Sequence, residues 1–235
     1  MLSLPSAFGR AVGQIADPAI LKVLAKSIAL TLVILLLLGT AGAAGIGWLL
    51  GKWQVDADGN LASALVAILF IVGGWLLFRI VALAVLQFYA DDVVEAVEAR
   101  HYPRELTQAR KLPLREEMAN GTRAFVRTVL ANLLALVLAI PLLATAIGPA
   151  VIFFLVNAWL LGRELQDIAW LRHRHTSDAA PPLTALTRLG LGAIVAGLLL
   201  VPFVNFLAPV FGASAATHLV HLRQGADRSV NAHAA

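Results

Sequence analysis

From Ser27 to Gly51 no residue carries a charge, and three more apolar runs lie further along the chain, at 61–90, 128–162 and 189–222. These runs constrain the fold more than any other feature of the chain. A stretch of about 25 residues is roughly 37 Å long as a helix, enough to cross a hydrocarbon core of about 30 Å with some tilt. Lipid satisfies no backbone amide or carbonyl, so such a stretch must bond its own peptide groups as a helix. Composition agrees: 14% of the 235 residues are charged and mean hydropathy is +0.82, against about a quarter charged in a soluble domain. A water-soluble globule and a disordered chain are both excluded. The expected fold class is an all-α integral membrane protein, built as a single membrane domain over 1–235.

Asp17-Pro18 suits a helix start, since Asp caps free amides and Pro is tolerated at the first helical position. The first span is placed at about 27–51. Ile28–Leu38 followed by Ala41-Gly42-Ala43 also resembles a leader with its cleavage site. The long segment before it, and the apolar sequence continuing through Ile46 to Leu50, favour a retained membrane helix. Residues 52–60 form a polar turn marked by Asp58-Gly59-Asn60. The second span, about 61–90, holds one charge, Arg79, and its helical rhythm continues through Asp91–Glu98. Beyond it, Pro103 and Pro113 break the helical pattern. Residues 91–127 carry seven Lys or Arg and form the largest solvated segment.

Pro141, Gly148 and Pro149 interrupt the third run, and Pro202 and Pro209 the fourth. Arms such as Ala150–Gly162 and Leu189–Val201 are about 20 Å long as helix, short of a full crossing. Two readings compete: pairs of thin, mismatched spans, or re-entrant hairpins at about 128–162 and 189–222 that enter and leave on one side. The central prolines and matching arms favour hairpins. At their turns the backbone must be buried in protein or face a watery cavity. Of 18 Lys and Arg, only Lys52 and Arg79 fall outside the termini and the long loops. The positive-inside rule then puts both termini, including the tail 223–235, in the cytoplasm.

Four stretches resemble the CysZ sulfate permease family, which shares a domain with the etoposide-induced membrane proteins. They are Asp17–Lys22, Val94–Arg100, Ile147–Asp167 and, most specific, Val201–Pro209 with Gly212–Thr217. The resemblance implies two long membrane helices with two partly penetrating hairpins, in a homo-oligomer of the bacterial inner membrane. It implies uptake of sulfate or a related oxyanion for sulfur assimilation. The family's Gly-Leu-Arg-Arg-like sulfate motif reads Ala19-Ile20-Leu21-Lys22 here, and a Pro-Phe-Asn-Gly-like stretch reads Phe88-Tyr89-Ala90-Asp91. By these departures the chain resembles a divergent member of that family.

Lys22 and Lys26 share a helix face near a helix start that favours anions; they are anion-binding candidates, or cytoplasmic anchors with snorkelling stems. Asp17 favours the second use, because its carboxylate would take the same amides. Arg79 is either an anion-path residue or a snorkelling one. Pro202, Asn205 and Pro209, with Pro141 and Pro149, mark the hairpin turns that would line a pathway. Asn205 would alternatively satisfy carbonyls freed by the prolines. Asn132 and Asn157 are expected to bond between helices. Glu164 and Asp167 are expected to pair with Arg163, Arg172 or Arg174. Trp48, Trp53, Trp159 and Trp170 stand near run ends as interfacial anchors.

His218 and His221 could share an ion, but no neighbouring acid or Cys adds a third ligand. They, His173 and His175 are read as interfacial histidines, and no metal or cofactor is expected. Without cysteine there is no disulfide or thiolate site. No phosphate-binding loop, nucleophile elbow or zinc-protease motif is present, so an enzyme is not expected. Basic residues flank apolar runs instead of forming a stripe, which argues against nucleic acid. The partners expected are an inorganic oxyanion and the lipid bilayer. A non-transporting membrane protein, acting on other proteins or on lipid, is the alternative.

Overall fold

The computed structural model describes residues 4–14, 16–52, 89–174, 179–201 and 204–234, with 68, 73, 74, 81 and 176 singly. Among these there is no β-strand. The helices are α1 Leu4–Gln14, α2 Pro18–Lys52, α3 Ala90–His101, α4 Pro103–Gln108, α5 Leu114–Leu142, α6 Gly148–Trp170, α7 Ala185–Leu200 and α8 Ala208–Ala234. The chain divides into two compact units, Leu21–Tyr89 and Met1–Ile20 with Ala90–Ala235.

The first of these units contains most of α2. Its lipid-type surface is plain: Ile28, Leu32, Leu36 and Leu37 are all more than half exposed. Thr40, a polar residue within this apolar stretch, returns its hydroxyl to the Leu36 carbonyl at 2.8 Å, the usual way a hydroxyl is accommodated in an apolar helix. Of the second predicted span, about 61–90, only 68, 73, 74, 81, 89 and 90 are described, and Arg79 lies outside the described residues.

The larger unit is organised on α8. Every residue from Val210 to His221 is buried, and Ala213, Ala215, Ala216 and Thr217 are wholly so. Small side chains let several backbones approach one helix, and α1, α3, α6 and α7 all pack on it. The remaining core comes from apolar stripes: Ala7 and Ala11 of α1, Val93, Val94 and Val97 of α3, Leu165 and Ala169 of α6, Leu191 and Val195 of α7. The second arm of the fourth apolar run is therefore interior to the protein's own bundle.

Three described helices are long and apolar enough to cross a membrane by length and composition: Pro18–Trp48, Leu114–Thr145 and Gly148–His173. Two of them belong to the third apolar run. The turn falls at Leu143–Ile147, as the proline spacing predicts, but the arms are longer than that spacing suggests. Pro141 lies inside α5, one residue before its end. Its missing N–H and its ring perturb only the last turn. Pro149 occupies the first turn of α6, where no donor is lost. At the other ends, α5 begins at Leu114 within the segment expected to be a solvated loop, and α6 continues past Arg163 to Trp170. Charges at a helix end do not stop a helix; they only end its apolar part. The fourth run keeps a short first arm, since α7 has 16 residues. Pro202 lies outside the described residues, and Pro209 is half-buried in the first turn of α8.

Helices α6 and α7 touch backbone to backbone. A Cβ added to Gly162 would fall on the Arg188 carbonyl, and one added to Gly192 on the Ala158 carbonyl. Neither atom can yield without separating the helices. Gly162→Ala and Gly192→Ala should each lower the unfolding temperature in detergent by roughly 5 °C, from an overpacking cost of about 1–3 kcal/mol. Gly197, with nothing within 4 Å of its missing Cβ, supplies the contrast: Gly197→Ala should be neutral or stabilising in scanning fluorimetry.

Candidate functional site

Val93, Val94 and Val97 form the buried stripe of α3, and Glu98 falls on the same face. The stripe carries the carboxylate into the core, where it is 0% exposed. Two imidazoles meet it there. The Nε2 of His173, in the 3₁₀ turn that ends α6, lies 2.7 Å from Glu98 Oε1. The Nε2 of His221, on α8, lies 2.9 Å from the same oxygen. Arg172 Nε stands 3.8 Å from Oε2, which is too long for a hydrogen bond, and Oε2 has no hydrogen-bond partner among the described residues. Burial alone would raise this carboxyl's pKa. The hydrogen bonds from His173 and His221, with the charges of His173 and Arg172, outweigh it and hold the group down to about 2.

A second polar cluster adjoins it. His218 Nε2 lies 3.0 Å from Gln14 Oε1, an atom that can only accept, and Ser214 donates to the same oxygen at 2.9 Å. His218 must therefore carry its proton on Nε2, which leaves Nδ1 to accept from the Tyr102 hydroxyl at 2.8 Å. The Tyr102 ring in turn packs on His221, with centroids 4.6 Å apart. Through these groups α1, α3, α8 and the end of α6 share one polar core.

A third group holds the His173 turn in place. Arg110 grips both carboxylate oxygens of Glu116, at 2.9 and 2.7 Å, and Arg174 donates to Glu116 at 2.8 Å. The Arg110 guanidinium and backbone amide also donate to the carbonyls of Arg174 and Arg172, each at 2.9 Å. The bidentate form is the geometrically demanding one. Glu116 sits in the first turn of α5, where the helix dipole favours a carboxylate.

The anion-binding candidates sit elsewhere. Lys22 and Lys26 are exposed on α2. Asp17 caps that helix, accepting from the Ala19 amide at 3.1 Å, and pairs with Arg100. The Ala19 amide, with help from Arg100, holds the Asp17 carboxyl below its ordinary range. Asn205 lies in the 3₁₀ turn Val204–Phe206 between α7 and α8. Its backbone N–H donates to Val201 at 3.0 Å, and its side-chain Oδ1 is buried with no partner among the described residues. Arg79 and Pro202 are outside those residues.

Several pairings differ from expectation. Asp167 lies 3.9 Å from Arg127 of α5, while Arg172 and Arg174 go to Glu98 and Glu116. Asn132 and Asn157 donate to their own helices, to the Thr128 and Phe153 carbonyls at 2.9 and 2.8 Å, because a carbonyl four residues back is the nearest acceptor. Trp170 is buried under Arg174 instead of facing the interface. His173, His218 and His221 are interior groups, not interfacial ones. His218 and His221 face different clusters, and the acid absent from His221's sequence neighbourhood is supplied by Glu98. Sequence reading passed over Glu98, although an acid on an apolar helical stripe is a readable signal.

A family model described as sulfate transporter CysZ/etoposide-induced protein 2.4 matches residues 7–209. No curated protein matches the chain.

Glu98→Ala leaves two buried imidazoles and Arg172 without their anion and should cost roughly 3 kcal/mol in denaturation experiments; Glu98→Gln, which keeps an acceptor, should cost less. For Asp17 the folded pKa lies below the unfolded one. Its contribution is therefore complete above the ordinary Asp value of 3.8 and is lost as pH falls below it. Asp17→Asn should remove that part of the acid-side loss, measured as unfolding temperature against pH.

Proposed function

The chain belongs to the sulfate transporter CysZ/etoposide-induced protein 2.4 family, and from that premise we propose that it is an inner-membrane permease for sulfate or a related oxyanion, supplying sulfur assimilation. The family match across residues 7–209 carries this reading. The chain is a multi-pass membrane protein, and no step of its chemistry calls for a catalytic group. In the proposed arrangement it is one membrane domain with two long membrane helices, two partly penetrating hairpins and both termini in the cytoplasm. Transport is passive or driven by a gradient, and protomers assemble as a homo-oligomer, because α7, at 16 residues, is too short to enclose a pore across the bilayer.

The exposed pair Lys22 and Lys26, with Arg79, gathers the anion. Because Asp17 already takes the Ala19 amide, attraction comes from the ammonium groups more than from the helix start. The turns at Pro141 and Pro149 and at Pro202, Asn205 and Pro209 border the path. Asn205 supports this: an amide presents a donor or an acceptor by a half-turn, and its buried Oδ1 has no hydrogen-bond partner among the described residues.

A second reading, a membrane protein that binds protein or lipid without conducting, is favoured by one observation. Leu21 stands where the family's sulfate motif has an arginine, and the adjoining amide is occupied by Asp17.

Uptake of labelled sulfate into proteoliposomes tests the two. Lys22→Ala with Lys26→Ala should reduce uptake about tenfold, the worth of one charge-assisted hydrogen bond. Equal flux with and without protein, across several oxyanions, would install the second reading. The hairpins are tested by labelling Pro141→Cys and Pro202→Cys in this cysteine-free chain. Protection from a reagent confined to the periplasm is expected, and labelling there replaces hairpins with paired spans.

A further inference from the structure

We propose that Glu98, His173 and His221 form a binding site for a divalent transition-metal ion of the zinc class. The three side chains come from α3, the turn after α6, and α8. One ligand atom of each lies within 4.8 Å of the others. Two imidazole nitrogens and a carboxylate oxygen are a donor set for zinc, with a fourth position left for water.

Hydrogen bonding alone leaves this cluster incompletely used. Both imidazoles converge on Glu98 Oε1, while Oε2 receives no hydrogen bond from any described residue. All three side chains are more than nine-tenths buried, at 0%, 7% and 1% exposed. An ion between them displaces the two Nε2 protons that now bond to Glu98, leaving each neutral ring with its proton on Nδ1, and takes the lone pairs of both Nε2 atoms and of one carboxylate oxygen. Metal bonds of about 2.0–2.1 Å set tetrahedral ligand atoms about 3.3 Å apart. The two N–O separations of 2.7 and 2.9 Å then widen by roughly half an ångström through rotation of the soft terminal carboxylate torsion, and the two imidazole ligand nitrogens, within 4.8 Å of each other, reach the same spacing by rotation of the imidazole side chains.

The surroundings supply an outer-shell partner for the carboxylate and an entrance, while His221 Nδ1 has no partner among the described residues. As the carboxylate turns one oxygen to the ion, the other is left to Arg172, 3.8 Å away, which fixes one-oxygen ligation in the way outer-shell partners do. Arg172 is also a repelling charge, so the site is tuned for moderate affinity. His173 borders a cavity of about 300 Å³ shared with Gln108, Arg174, Thr176 and Gln224, which gives an ion a way in and a water its place. Loaded, the site pins three segments of the larger unit together. It involves none of the anion-gathering residues, so its fate does not depend on transport.

The test uses the full chain purified in detergent and stripped with a chelator. Calorimetry with zinc chloride should find one ion per chain, and cobalt chloride should give the absorption of a four-coordinate ion. Saturating zinc should raise the unfolding temperature by roughly 5 °C. His173→Gln and His221→Gln should each weaken zinc binding at least tenfold and remove the four-coordinate cobalt spectrum. His101→Gln, on the exposed end of α3, should leave both intact. Absence of zinc uptake by the unaltered protein at submillimolar zinc overturns the proposal, as does uptake that survives the His173 and His221 substitutions. If those variants fail to fold, the imidazole NMR signals of the unaltered protein decide: zinc must shift the ring signals of His173 and His221, and ring signals unchanged at saturating zinc overturn the site.

Discussion

One carboxylate, sealed from solvent at Glu98, sets the terms for the larger unit. A buried charge is tolerable only when partners surround it, and every partner here comes from another segment: His173 and Arg172 from the turn after α6, His221 from α8. The need to satisfy that one group fixes how α3, α6 and α8 meet. The Arg110–Glu116–Arg174 clamp makes the arrangement stiff, because it holds the turn carrying His173 by side chain and backbone at once. A network with every segment tied to the others also specifies a single packing more sharply than an apolar core does.

Packing around that charge relies on smallness. Gly162 and Gly192 allow α6 and α7 to meet at backbone distance, and the alanines of α8 let four helices share it. In a chain with so many apolar residues, hydrophobicity does not choose among helix pairings, since lipid is as good a solvent for leucine as another leucine. Steric fit and polar bonding choose instead. The large exposed aliphatics of α2 and α5, such as Leu36 and Val137, take no part in that choice and are the surface a bilayer would cover.

The positions of helices were largely legible from sequence. Asp17-Pro18 announces α2, and Pro141 and Pro149 bracket the turn between α5 and α6, whereas the start of α5 just after Pro113 falls in the segment expected to be a solvated loop. Arm lengths were less legible, because hydropathy ends at the first charge whereas a helix continues through it. Side-chain partners were the least legible. Asn132 and Asn157 bond within their own helices, and Asp167 meets Arg127 of a different helix as well as feeling the charge of its neighbour Arg163, choices set by rotamer reach and helix facing.

What the sequence determined alone is the class of molecule: uncharged runs of this length have no acceptable state in water and only a helical one in lipid, and the motif-bearing stretches mark the family. What only the tertiary structure decided is which polar groups share the interior. Glu98 and His173 are 75 residues apart, and Glu98 and His221 are 123 apart, so no local pattern links them. Spacing along a helix reports which residues share a face. It carries no information about which face of a distant helix will lie opposite, and that is settled by the backbone contacts at Gly162 and Gly192 and by the bonding needs of one buried carboxylate.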